Sequence, residues 1–229
     1  MNRFFLLFFF FGVMLHVFGQ DSINHTDADG RRNGLWRKTD KEGHKLYDGQ
    51  FKNGVPSGTF RYYYSDGTLK AVSVLSEDGK IARTQSFAGN GRKIAEGNYR
   101  EEKKDSTWKY YSDLDGVLIS EETYLSGIKN GASKTFFPGG SVAEVIYYKD
   151  GRKEGEWIQY FEDGNLKFRG GYENDEKAGA FTVYFPSGKV NLSGAYKMGH
   201  KDGTWIVYEE NGNIISSEKY SKGALIKEK

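Results

Sequence analysis

The chain contains no cysteine and only three prolines in 229 residues. Without cysteine there is no disulfide framework, no thiolate nucleophile and no cysteine-ligated zinc. Histidine is nearly as scarce: His16 and His25 lie near the N-terminus, and His44 and His200 stand far apart. There is no His-Glu-x-x-His, no glycine-rich phosphate loop opening a helix and no Gly-x-Ser-x-Gly. No catalytic, cofactor-binding or metal-binding set is assigned, and a protein without enzyme activity or cofactor is expected. Charge of one sign is also lacking, with 33 basic against 31 acidic residues interspersed along the chain. A basic stripe that would advertise nucleic acid is therefore absent. Hydrophobic residues are only 37% of the total, too few for a thick aliphatic core, yet aromatics reach 16%.

Glycine and aromatics supply the pattern instead. A glycine recurs near every 24th residue, at Gly34, Gly58, Gly131, Gly155, Gly179 and Gly203, with Ala82 and Ser106 in the two vacant registers. One extra residue inside the Ser106 unit moves the next glycine to 131. An aromatic stands two positions on at Trp36, Phe60, Trp108, Trp157, Phe181 and Trp205. A second glycine follows nine positions after the first in most units, and an aromatic closes most units at offset seventeen. Self-similarity at a fixed period marks a repeat architecture. The array is read over residues 33–226, with a charged tail at 227–229.

Residues 1–19 are different material. Arg3 precedes an apolar run from Phe4 to Phe18, and Val17-Phe18-Gly19 ends it. That is the layout of a secretory signal peptide. The run is about fifteen residues, short of the ~20 that a spanning helix needs. Cleavage before Gln20 and export are expected, leaving no transmembrane span; retention as an anchor is the alternative. Residues 20–32 are polar and aperiodic and read as a flexible leader.

The unit from Gly155 to Ala178 shows the local logic. Two short aromatic runs flank Asp163-Gly164, which reads as a two-residue type I′ hairpin turn. That register sets Phe161 against Leu166, Gln159 against Phe168, Trp157 against Gly170 and Gly155 against Tyr172. Directly opposed pairs share a face, so each large ring is expected over a small residue of its own hairpin. Trp36 over Gly49, Phe60 over Ser73 and Phe181 over Gly194 fit, and Ser133 against Ile146 swaps the sizes. Trp108 against Glu122 and Trp205 against Glu218 do not fit, and Thr84 against Gly97 leaves a hairpin underfilled. The Ala82 unit is expected to be the weakest link. Gly170→Val is expected to destabilise far more than Gly171→Val. The fold expected is all-β: a single-layer antiparallel meander of about eight hairpin repeats, elongated and twisted.

These units resemble MORN repeats of the bacterial variant type. The stretches from Lys153 to Glu173 and from Lys201 to Ser221 carry the resemblance most fully. It implies a β-meander without enzyme activity, used for protein or lipid contact and for assembly. Similar bacterial proteins form an antitoxin-like group.

Two readings of the rings stay open. They are the packing of the ribbon, or they form a binding face made by Trp36, Phe60, Trp108, Trp157, Phe161, Phe168, Tyr172, Phe181, Tyr196 and Trp205. A protein partner in the cell envelope is the first expectation. Contact with glycan or lipid, and antitoxin-like masking of a toxin, are the alternatives. The oligomeric state is not readable from the sequence.

Overall fold

The computed structural model describes residues 23–227. The expected signal segment lies outside them, as do the last two residues of the charged tail. Among the described residues there is no helix, and eighteen strands form one antiparallel sheet. They are β1 (Gly34–Thr39), β2 (Lys45–Lys52), β3 (Val55–Tyr63), β4 (Leu69–Leu75), β5 (Ile81–Phe87), β6 (Lys93–Arg100), β7 (Lys103–Tyr111), β8 (Leu118–Leu125) and β9 (Ile128–Phe136). Then come β10 (Val142–Lys149), β11 (Arg152–Tyr160), β12 (Leu166–Glu173), β13 (Glu176–Lys177), β14 (Gly179–Tyr184), β15 (Val190–Lys197), β16 (His200–Tyr208), β17 (Ile214–Ser221) and β18 (Ala224–Ile226). Each strand pairs with its neighbours in the chain, which is the meander read from the sequence. β13 and β14 are two parts of one strand interrupted at Ala178, and β18 is a short addition.

The Asp163-Gly164 bend is not the two-residue turn expected. At the Asp163-Gly164 bend, Gly164 N–H donates to Phe161 O at 2.9 Å and Phe161 N–H to Asn165 O at 2.8 Å. The loop is therefore the three residues Glu162 to Gly164, and only Gly164 has positive φ, at 89°. A type I′ turn needs two such residues; this is a type I turn closed by a left-handed glycine. Asp163 favours it by accepting the Asn165 N–H at 2.9 Å. The type I′ turns sit at the other bend of every unit but the second, as at Asp150-Gly151, with φ of 50° and 86°. Asn174-Asp175 and Glu101-Glu102 adopt the same left-handed pair without any glycine.

A three-residue loop shifts the pairing by one, and a bulge restores it. Tyr160 pairs with Leu166 but Gln159 with Phe168, so Lys167 is the extra residue. Phe161 consequently faces Asn165 rather than Leu166, while the pairs from Gln159–Phe168 to Gly155–Tyr172 are those expected. The one-residue insertion of the Ser106 unit is held in its own loop, between Ser112 and Val117, and pairing resumes beyond it.

The glycine that opens each unit has a backbone reason. Between β10 and β11 the pair Ile146–Trp157 is followed by Tyr148–Lys153, so Gly155 lies in a bulge with φ of 92°. Ser106 holds the same left-handed state at 60°. Ala82 does not, and the β4–β5 pairing runs without a bulge.

The rings and their holes also differ from the expected scheme. Trp157 does pair with Gly170, but the space above a glycine belongs to the ring of the following unit. A Cβ added to Gly49, Gly97 or Gly194 would collide with Phe60, Trp108 or Trp205 respectively. Each ring leans toward the preceding hairpin, across the inter-unit strand boundary. This seating removes the three misfits: Trp108 takes Gly97, Trp205 takes Gly194, and Thr84 meets Ser73 through a 2.8 Å hydroxyl hydrogen bond. Ser133 sits beside Glu122. Trp157 meets Ile146 and stays half-buried, whereas Trp108 is only 2% exposed. The contrast between Gly170 and Gly171 weakens accordingly. A Cβ on Gly170 would meet Phe181 at 2.8 Å, and one on Gly171 would meet the Ala178 carbonyl at 3.0 Å.

Residues 24–32, part of the 20–32 segment expected as a flexible leader, fold back on the start of the array. Asn24 N–H donates to Leu35 O at 2.8 Å, Asn33 N–H to His25 O at 3.0 Å, and the Trp36 indole to His25 O at 3.0 Å. They cover the edge of the first strand, a place where an unpaired backbone would otherwise invite aggregation.

Two mutations test these assignments. Replacing Glu101-Glu102 with Asn-Gly should raise stability by about 1 kcal/mol in urea unfolding, because the left-handed pair is held without glycine. Gly194→Ala should cost about 2–3 kcal/mol, by overpacking beneath Trp205. In a Trp205→Ala background the same change should cost under about 1 kcal/mol. Equal costs in both backgrounds would refute the inter-unit seating.

Candidate binding surface

Alternation along the strands puts most of the named rings on one face, where they form three islands rather than one stripe. The first holds Trp36, Phe51, Phe60, Tyr47 and Tyr62, with Phe51 and Phe60 edge-on at 5.4 Å. The second centres on Trp108, edge-on to Tyr99 at 4.8 Å. The third runs Trp157, Phe168, Tyr172, Phe181, Tyr196 and Trp205, with centroids 4.3–6.3 Å apart. The breaks fall where offset two carries Thr84 or Ser133 instead of a ring. Phe161 joins none of these islands; it lies in the bend, with Lys167 Nζ 6.0 Å from its centroid.

Burial divides the candidates. Phe60, Trp108, Phe168 and Trp205 are buried and serve as core. Trp36, Trp157, Tyr172, Phe181 and Tyr196 are half-buried, and so both pack and present an edge.

A row of cations accounts for part of that burial. Arg32, Lys104, Lys129, Lys153, Lys177 and Lys201 each lie over one or more rings at 4.5–5.2 Å. Each such contact contributes about 0.5–1 kcal/mol at an exposed site. The same residues stitch the units together, since their carbonyls accept an N–H from the bend of the next unit, as Gly151 to Lys129 at 2.9 Å. The signal is present in the sequence as a cation two residues before most unit starts, although a lone charge beside a bend is not distinctive by itself. Pro56 stands at that position in the second unit.

Between the first two islands lies a trough of about 650 Å³. Its floor is Ala71, Ser73, Ala82, Thr84 and Ser86; Phe60 and Tyr62 stand on one side and Tyr99 on the other. Gly79 and Lys80 of the irregular β4–β5 bend close one end together with Glu102 of the β6–β7 bend. Regular features of two adjacent units fail here: the second lacks the cation and its stitch, at Pro56, and the third lacks the bulge and the ring, at Ala82 and Thr84, although Lys80 O still accepts the Glu101 N–H at 2.7 Å.

The second break is polar. Lys129 Nζ donates to Glu122 at 2.7 Å, and Tyr124 donates to the same carboxylate. Burial works against the charge, but these two bonds hold the Glu122 carboxyl below its ordinary value. Burial and Glu122 together raise Tyr124. Glu144 nearby accepts from the Trp157 indole at 2.8 Å and from Gln159 at 2.7 Å.

The opposite face carries a motif that occurs twice. Lys45, Asp48 and Tyr63 form one copy, and Lys93, Glu96 and Tyr111 the other. The Tyr111 hydroxyl donates to Glu96 at 2.5 Å, and Gln85 donates at 3.3 Å. The tyrosine bond chiefly, with Lys93 and Gln85, outweighs burial and pulls Glu96 down to about 2. Burial, then the bond to Glu96, pushes Tyr111 up to about 12. These shifts describe a locked structural pair rather than a poised acid or base. Asp40, Glu42 and His44 also gather within 4.8 Å, but Asp40 there accepts the His44 N–H as an ordinary turn does.

Three segments match the MORN repeat variant. They are residues 129–150, 153–174 and 201–222. The match falls on the later units, which keep the cation, the bulge glycine and the closing aromatic; the unit at Gly179 lies between two of them. No curated protein matches the chain. Among solved structures, an alternansucrase in complex with isomaltononaose is similar at 17% identity over 82% of this chain and 15% of that one, TM-score 0.24. A TcdB2-TccC3-TEV structure is similar at 11% identity, over 83% and 12%, TM-score 0.22. A TcdB2-TccC3 structure is similar at 12% identity, over 86% and 14%, TM-score 0.23. The chain thus spans about 12–15% of those chains, and likeness at such scores carries no argument about activity.

The locked pair gives a pH test. Glu96 is depressed on folding, so its contribution is complete above about pH 4.5 and is lost as pH falls toward 2. Tyr111 is raised, so its contribution is complete below about pH 10 and is lost as pH rises through 12. Between pH 6 and pH 3, wild type should lose about 1–2 kcal/mol more unfolding free energy than Glu96→Gln. Parallel losses in urea titrations would contradict the assignment.

Proposed function

We propose that the chain is an exported, non-enzymatic repeat scaffold that binds a protein partner in the cell envelope. Repeats of the MORN variant type generally serve binding rather than catalysis, and three of the units match that family. The observation that carries the reading is the single layer itself. One sheet leaves both faces without a covering layer, and Val74, Ile119, Leu125, Ile128, Ile214 and Ile215 are 48–62% exposed. Exposed side chains scattered singly are ordinary, so the weight falls on the half-buried rings Trp157, Tyr172, Phe181 and Tyr196, which gather into one cluster on one face. The interspersed charges and the hydrogen-bonded acid–lysine pairs leave no basic stripe to favour nucleic acid. Export is supported by the sequence of residues 1–19 alone.

Crosslinking followed by affinity purification of the tagged full chain from fractionated cells tests both parts. The chain should be recovered outside the cytosol beginning at Gln20, with a protein partner in comparable amount. Cytosolic recovery beginning at Met1 would rule out export. Recovery of glycan or lipid in place of protein would rule out the protein-binding reading.

A further inference from the structure

The trough over β4 and β5 occupies a place that recurs along the array. Elsewhere on this face a ring from one unit lies over a glycine of the unit before: Phe60 over Gly49, Trp108 over Gly97 and Trp205 over Gly194. At the third unit the corresponding residues are Thr84 and Ser73, both small and both buried. The ring is missing, and two small bonded side chains stand in its place as a low floor beneath the open trough. We propose that this trough accepts an aromatic side chain presented by a partner polypeptide.

The chemistry of the site favours a ring over a sugar. Ser73 Oγ and Thr84 Oγ1 bond to each other at 2.8 Å, so one of their two hydroxyl hydrogens is already used at the floor. A sugar, with several hydroxyls to satisfy, would lose more water there than these groups replace. The walls are the Phe60 and Tyr62 rings on one side and Tyr99 on the other, suited to edge and offset contacts with an incoming ring. At about 650 Å³ the trough exceeds one ring, which leaves room for the residues on either side of it. Lys80 and Glu102 at the closed end supply a donor and an acceptor for the backbone of such a segment. The proposal rests on the protein-binding reading above, and it narrows that reading to one place and one kind of side chain.

The test restores the missing ring from within. In Ser73→Gly/Thr84→Trp the new indole should take the seat as Trp108 does over Gly97, and the melting temperature should rise by about 5 °C. A lower or unchanged melting temperature would show that the trough does not accept a ring. N-acetyl-tryptophanamide titrated into the labelled full chain should shift the amide signals of Ala71, Ser73, Thr84 and Ser86 saturably in wild type. The double variant should show none of these shifts. Equal behaviour of the two proteins, or the same shifts produced by maltoheptaose instead, would overturn the proposal. The partner from the crosslinking experiment separates the two claims. Capture by wild type and the double variant alike would sink the trough while leaving protein binding intact. Capture by neither would remove protein binding, and the trough proposal with it.

Discussion

The array depends on a ring of one hairpin lying across a small residue of the hairpin before it. A single-layer sheet has no second layer to pack against, so its apolar burial must come from side chains lying flat along the sheet. Burying one such ring contributes about 1.5–3 kcal/mol. That is more than one exposed hairpin hydrogen bond contributes, and it acts between units. An isolated hairpin is marginal in water. Here the seating makes each unit a condition for the next, and the stability of the ribbon is held at its unit boundaries.

Three smaller devices work at the same boundaries. The opening glycine bulges one strand, as Gly155 does with φ of 92°. The cation two residues earlier reaches over the rings, and its carbonyl receives the next bend. The two faces then diverge in chemistry. One carries rings under cations, and the other carries tyrosines tied to Asp48 or Glu96. The second unit drops the cation and its stitch at Pro56, the third drops the bulge at Ala82, and where these faults adjoin the surface opens. A fault in packing and a place for binding are the same locus in this molecule.

The period, the strand pairing in the body of each hairpin and the meander were legible in the sequence because a two-fold side-chain alternation leaves few registers. The bends were misread for a definite reason. Asp-Gly serves a type I′ turn or a three-residue loop equally well, and the bulge at Lys167 returns the strands to the register that either would give. The ring seats were misassigned because a cross-strand pair fixes which residues are opposite, not which way a side chain leans. Trp108 against Glu122 was the clue: a misfit within the hairpin that vanishes once the neighbour's Gly97 is considered. Residues 24–32 looked aperiodic, and so looked unattached, although capping a sheet edge requires no period. The candidate rings were found, but Phe161 was placed by parity across a bend where parity does not hold. The trough could not be seen at all, since Tyr62 and Tyr99 belong to different units and only the missing ring between them defines it.

The direction in which the rings lean gives the ribbon a polarity. A regular unit offers a berth to its successor and occupies one in its predecessor, so duplicating such a unit adds a tenant and a vacancy together. Lengthening by copying needs no new core. A single-residue insertion inside a strand would need a further bulge to keep the rings on their side, whereas the one that this chain carries, between Ser112 and Val117, falls in a bend and is absorbed there.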